Sequence, residues 1–237
     1  MNDNLQSALK DLIQAGSQSN PAMNALINDY TQYHVVFVVT GGLVVVIFGL
    51  LSLYFGIQWK RVPRTEQRTW TFEKKTHFLF GLLSLVTGLL MALIVAANAS
   101  NVADPERGFS LVIDSIVTPT VSTPPYTLYQ GFNTWLQSGS PDIPSVIQAK
   151  LDERIVFHTL KALVCGLILV VFSALNVRIW RTLIRRFRGQ EARWRLKEIT
   201  LLSCGAATIG LSLLLMIMIV ANTQAAFAPK TLTLVYG

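Results

Sequence analysis

His34 and His158 are the side chains whose type and placement most readily suggest chemistry. They stand 124 positions apart, each at the start of a long apolar run. Two imidazoles converging at such positions are the usual axial ligands of a haem in a four-helix membrane bundle. Asn98 and Asn222 recur at the same offset, at the far ends of the runs that follow, where two converging carboxamides can coordinate an ion. Each pair also has a plainer reading. A histidine at a helix end is an interfacial polar residue like Tyr or Trp, and an asparagine there caps a helix C-terminus because it tolerates left-handed backbone. The plainer readings take precedence, since a cytochrome with two haems calls for a second histidine pair and the mate of His77 is Leu201.

The rest of the catalytic inventory is thin. No Ser/His/Asp set, Gly-rich phosphate loop or HExxH is present, and no Asp, Glu or Arg falls inside the apolar runs. Ion-coupled carriers usually place an ionisable group near the membrane midplane. Lys161 lies one turn inside its run and can snorkel outward. The two cysteines, Cys165 and Cys204, fall at different depths of their helices, too far apart for a disulfide, and no Cys/His spacing suggests a metal site.

The elements that carry these residues are duplicated. At the 124-residue offset, with no gap, Trp70 pairs with Trp194, Pro105 with Pro229, Gly42 with Gly166, Arg61 with Arg185, Arg64 with Arg188 and Gly81 with Gly205. Matches of Trp, His, Pro and paired Arg are not produced by apolar composition alone, so the chain reads as a two-helix unit present twice. An even number of spans per unit inserts both copies the same way up, related by a pseudo-twofold axis along the membrane normal.

Composition sets the class. Hydrophobic residues make up 51% of the chain, charged residues 14%, and the mean hydropathy is +0.46, against about 25% charged for soluble domains. Four runs, 35–57, 78–97, 156–177 and 200–221, each have the length that crosses a hydrocarbon core as a helix. They are continuously apolar instead of alternating, which excludes a β-barrel. The expected fold is therefore all-α integral membrane, with an outer amphipathic segment at 1–33, repeat 1 at 34–105, an ordered outer loop at 106–155 and repeat 2 at 156–237.

Of the 20 Lys and Arg residues, 14 lie in the two links between paired spans, which predicts cytoplasmic links and outward-facing termini in a prokaryotic inner membrane. Trp59, Trp70, Trp180 and Trp194, with Arg61, Arg64, Arg185 and Arg188, flank these links and are expected to anchor the helix ends among anionic lipid headgroups. A nucleic-acid partner is not expected, because a phosphate-tracking surface needs more protein than two short links.

Leu5, Leu9 and Leu12 form an apolar stripe at helical spacing, and Asn20-Pro21 reads as an N-cap and first-turn proline of a second short helix leading into the first span. The middle segment carries Tyr126, Tyr129, Phe132 and Trp135, too many aromatic groups for a disordered linker. Both sets are expected to be partner-binding surfaces, although a short stripe equally covers the protein's own loops. Gly81, Ser84 and Gly88 correspond to Gly205, Thr208 and Ser212, small residues that let membrane helices approach closely, either each other or another subunit.

The expected function is non-catalytic: an accessory or scaffolding subunit whose partners are membrane lipids and other membrane subunits, or a second copy of itself, with no cofactor and no metal. The alternatives are a small channel or carrier along the pseudo-twofold axis, lined by Thr40, Ser84 and Ser173, and a haem cytochrome using His34 and His158.

Overall fold

A computed structural model describes residues 4–16, 19–63, 70–114, 116, 125–188 and 195–236. They form eight helices in the order α1 (Asn4–Gln14), α2 (Pro21–Arg61), α3 (Phe72–Ala103), α4 (Pro105–Ile113), α5 (Pro125–Ser138), α6 (Ser145–Phe187), α7 (Leu196–Phe227) and α8 (Pro229–Tyr236). No strand occurs among the described residues. α2, α3, α6 and α7 are the four helices long and apolar enough to cross a membrane, so the chain is a polytopic membrane protein by the length and composition of its helices.

Those helices overrun the apolar runs. α2 has 41 residues and α6 has 43, about twice what a bilayer requires at about 1.5 Å per residue. The second short helix expected after Asn20 is instead the first part of α2. Asn20 does cap it, accepting the Met23 N–H at 3.0 Å, but no breaker follows before Gly41, so one helix runs from Pro21 to Arg61. The caps expected of Asn98 and Asn222 are also corrected: α3 continues to Ala103 and α7 to Phe227, so both asparagines are helix-interior. Pro105 and Pro229 then open α4 and α8 at the first-turn position, where a missing N–H costs nothing. The first residues of α2 and α6, both ends of α3 and α7, and the first residues of α4 and α8 are each 124 positions apart.

The chain divides into two compact units. One comprises Met1–Val39, Ala96–Lys161 and Ala221–Gly237; the other comprises Thr40–Val95 and Ala162–Val220 and holds most of the apolar runs.

The first unit has its own hydrophobic core. Leu5, Leu9, Leu26, Phe109, Ile113, Leu136, Ile147, Phe132 and Trp135 are buried in it, and Leu12 and Tyr129 pack against it. α1 packs on α5 and on α4. The N-terminal stripe and the middle-segment aromatics are therefore not a free docking face: Leu9 is 0% and Trp135 1% exposed. An amphipathic helix buries its apolar face against whatever apolar surface is nearest, and here α1 and α5 supply it to each other. Tyr126 is half-buried. The Trp135 indole nitrogen donates to the Ser140 carbonyl at 2.9 Å, so even the polar edge of that ring is used inside the unit.

Candidate functional site: polar clasps of the two hairpins

The polar side chains of α2/α3 and of α6/α7 meet in matched positions. At the end of each hairpin remote from its link, His34 Nδ1 lies 2.7 Å from Asn98 Oδ1, and His158 Nδ1 lies 2.8 Å from Asn222 Oδ1. With a carboxamide oxygen as acceptor, Nδ1 carries the proton, and in a neutral ring Nε2 then carries the lone pair. His34 is buried beneath Tyr30, whose ring centroid is 4.4 Å away; His158 is half-buried beside Phe157. Each histidine thus binds within its own hairpin.

Midway along, the Ser52 hydroxyl donates to the Gly81 carbonyl at 3.1 Å. The residue 124 positions on, Asn176, accepts from the Thr208 hydroxyl at 2.7 Å and donates to Ser212 Oγ at 3.3 Å. Both ends of a carboxamide in an apolar stretch are thereby satisfied, as burial of a polar group demands.

Beside each link a third contact closes the hairpin, with its polarity reversed. The Lys74 ammonium donates to the Val62 carbonyl. At the positions 124 residues further on, the Arg186 guanidinium donates to Glu198 Oε1 at 2.6 Å.

The small residues serve the same pairing. A Cβ on Gly81 would stand 3.6 Å from Phe55 Cβ, and one on Gly88 would stand 3.3 Å from Phe48 Cβ, so α3 lies closely on α2. On α7, a Cβ at Gly205 would meet Trp180 at 3.1 Å. Ser84 is buried, whereas Thr208 and Ser212 bond Asn176. These faces meet the partner helix of their own hairpin, α3 on α2 and α7 on α6.

Trp180 and Trp59 bury their indole nitrogens without an acceptor among the described residues. Trp59 contacts Trp70 at 5.7 Å between centroids, and Trp180 contacts Phe80 at 4.7 Å. These rings are half-buried in side-chain contacts. Arg61 and Arg185 remain exposed. Trp194 and Arg64 lie outside the described residues.

The two hairpins are joined to each other near the links. Arg188 grips Glu73 with two hydrogen bonds, Nη2 to Oε1 at 2.6 Å and Nε to Oε2 at 3.2 Å, the planar fork that matches a carboxylate. Hydrogen bonding to Glu73, then its charge, raises the Arg188 pKa further above its ordinary value. Phe72 meets Phe187 at 4.7 Å beside this bridge.

Ser173 is exposed whereas Ser84 is buried and Thr40 half-buried, so the three hydroxyls expected to line a path do not share one environment. Among the described residues no group of three His, Cys, Asp or Glu side chains stands close enough to hold a metal ion. Cys165 and Cys204 are both free thiols. Compared with family models, curated proteins and solved structures, the chain matches none.

Proposed function

We propose that the chain is a tandem duplication of a four-helix unit and serves as a non-catalytic, scaffolding subunit of a membrane assembly. The observation that carries this reading is the commitment of its polar side chains. His34 to Asn98 and Lys74 to Val62 in one hairpin recur at the same positions in the other as His158 to Asn222 and Arg186 to Glu198, and Ser52, which bonds Gly81, is matched by Asn176, which bonds Thr208 and Ser212 instead. Groups that hold helices together in this way are structural, whereas catalytic and transport sites keep polar groups directed at a substrate. The duplication reaches beyond the spans: α1, α2, α3 and α4 correspond in order to α5, α6, α7 and α8. A duplicated frame whose clasp residues bond one another, with four apolar helices, suits a part that fixes neighbours in the bilayer. Solubilisation in a mild detergent followed by native mass measurement tests it: the chain is expected in a complex of fixed stoichiometry with other membrane proteins.

The haem alternative keeps one specific observation in its favour. Nδ1 of both histidines is engaged by a carboxamide, the arrangement that orients an imidazole and leaves Nε2 for a metal. A Soret band in the purified protein, lost in His34→Phe and His158→Phe, is its signature.

A further inference from the structure

We propose that the link end of α2 and α3 seats the phosphate of an anionic phospholipid. A pocket of about 460 Å3 opens there, lined among others by Gln58, Arg61, Thr71, Glu73, Phe187 and Arg188. Its charge balance favours one anion. Glu73 is neutralised by its fork with Arg188, whose Nη1 has no partner among the described residues. Arg61 is exposed and has neither an ion pair nor a side-chain hydrogen bond among the described residues. Among the described lining residues this leaves a net single positive charge facing the pocket, matching a phosphodiester. The half-buried Gln58 carboxamide adds neutral donors, and it too has no side-chain partner among the described residues.

The surroundings specify lipid over a free anion. The lining includes Gln58 and Thr71, chain neighbours of Trp59 and Trp70, just past the apolar run 35–57, the level at which aromatic rings and headgroups meet. Val62, Pro63 and Phe187 give it apolar walls, which inorganic phosphate does not use and the glycerol region of a lipid does. Basic groups at this depth are drawn to anionic headgroups. The inference rests on the chain's membrane character and not on the scaffolding role, so each stands or falls separately.

The test is native mass spectrometry of the full chain in detergent, titrated separately with phosphatidylglycerol, phosphatidylcholine and inorganic phosphate. Wild type is expected to bind one phosphatidylglycerol saturably and more tightly than either other probe. Arg61→Gln should weaken that binding by roughly tenfold, the size of one lost charge-assisted contact, and Arg61→Lys should restore part of it. Lys60→Gln removes the same charge one residue away, outside the pocket lining, and should change affinity by less than about twofold. Equal losses in Lys60→Gln and Arg61→Gln would replace the pocket with diffuse surface attraction and overturn the proposal. So would phosphate or phosphatidylcholine binding as tightly as phosphatidylglycerol, or no saturable lipid at all.

Discussion

The imidazole of His34 stands 2.7 Å from the carboxamide oxygen of Asn98, 64 residues away along the chain, and the same bond joins His158 to Asn222 across the same 64 residues. Each bond holds the unlinked end of a helix pair, where nothing covalent prevents splaying. A hydrogen bond between membrane helices contributes about 0.6 kcal/mol on average and up to about 1.7. A double-mutant cycle on His34→Phe and Asn98→Leu, read by unfolding in detergent, should give a coupling of that size. The cycle on His158→Phe and Asn222→Leu should agree with it. Coupling near zero in both would remove the clasps from the account.

The second prediction concerns the residues buried in the outer core. Trp135→Ala and Leu9→Ala should each destabilise the unit formed by α1, α4 and α5, by about 3–5 and 2–5 kcal/mol, the cost of large-to-small changes in a packed core. Hydrogen exchange would then rise across 4–14 and 125–138 together. Loss of partners without any loss of protection would return these side chains to a docking surface.

Helices α4 and α8 open alike but are capped differently. Asp104 caps α4 locally, accepting the Arg107 N–H at 3.3 Å. The corresponding N–H of α8, that of Thr231, is taken at 2.8 Å by Asp29, 202 residues distant, because Ala228 stands where Asp104 would be. Arg154 reaches the carbonyls of Leu232 and Tyr236 at the other end of α8, so opposite charges meet both poles of the helix dipole. Asp29→Ala should therefore cost about 1 kcal/mol, as loss of a cap does, and raise exchange selectively in 229–236. Asp104→Ala should loosen 105–113 instead. Uniform change across both helices would contradict the remote cap.

The orientation prediction comes from the distribution of Lys and Arg. Ser7→Cys and Ser138→Cys should react with an impermeant maleimide added outside intact cells, and Lys197→Cys should not. The reverse pattern would invert the chain in the membrane.

Four spans were legible because runs such as 200–221 are both apolar and of bilayer length, and helix is the conformation that satisfies a lone span. Their full extents were not: residues 21–34 and 145–155 are polar enough to read as loop approaches, yet contain no Gly or Pro interior to stop α2 or α6. The His and Asn pairs were visible as repeat mates, but comparison at one offset links His34 to His158, not to Asn98. What pointed to the true partner was depth, since both residues fall at the unlinked end of one hairpin. Leu9 and Trp135 were misplaced for a different reason. An apolar stripe specifies that it will be buried, not by what, and the correspondence of α1 with α5 that would have paired them is carried by position more than by identity: of the apolar stripe, Leu12 finds its like in Leu136 while Leu9 faces Asn133.

The central claim is that this chain is a structural subunit, and the mass of the gently solubilised assembly tests it most directly. The account predicts a particle well above the 26.3 kDa of a single chain, with other membrane proteins in constant ratio and no visible absorption from this subunit. A lone 26.3 kDa monomer, above all one with a Soret band that disappears in His34→Phe, would contradict it.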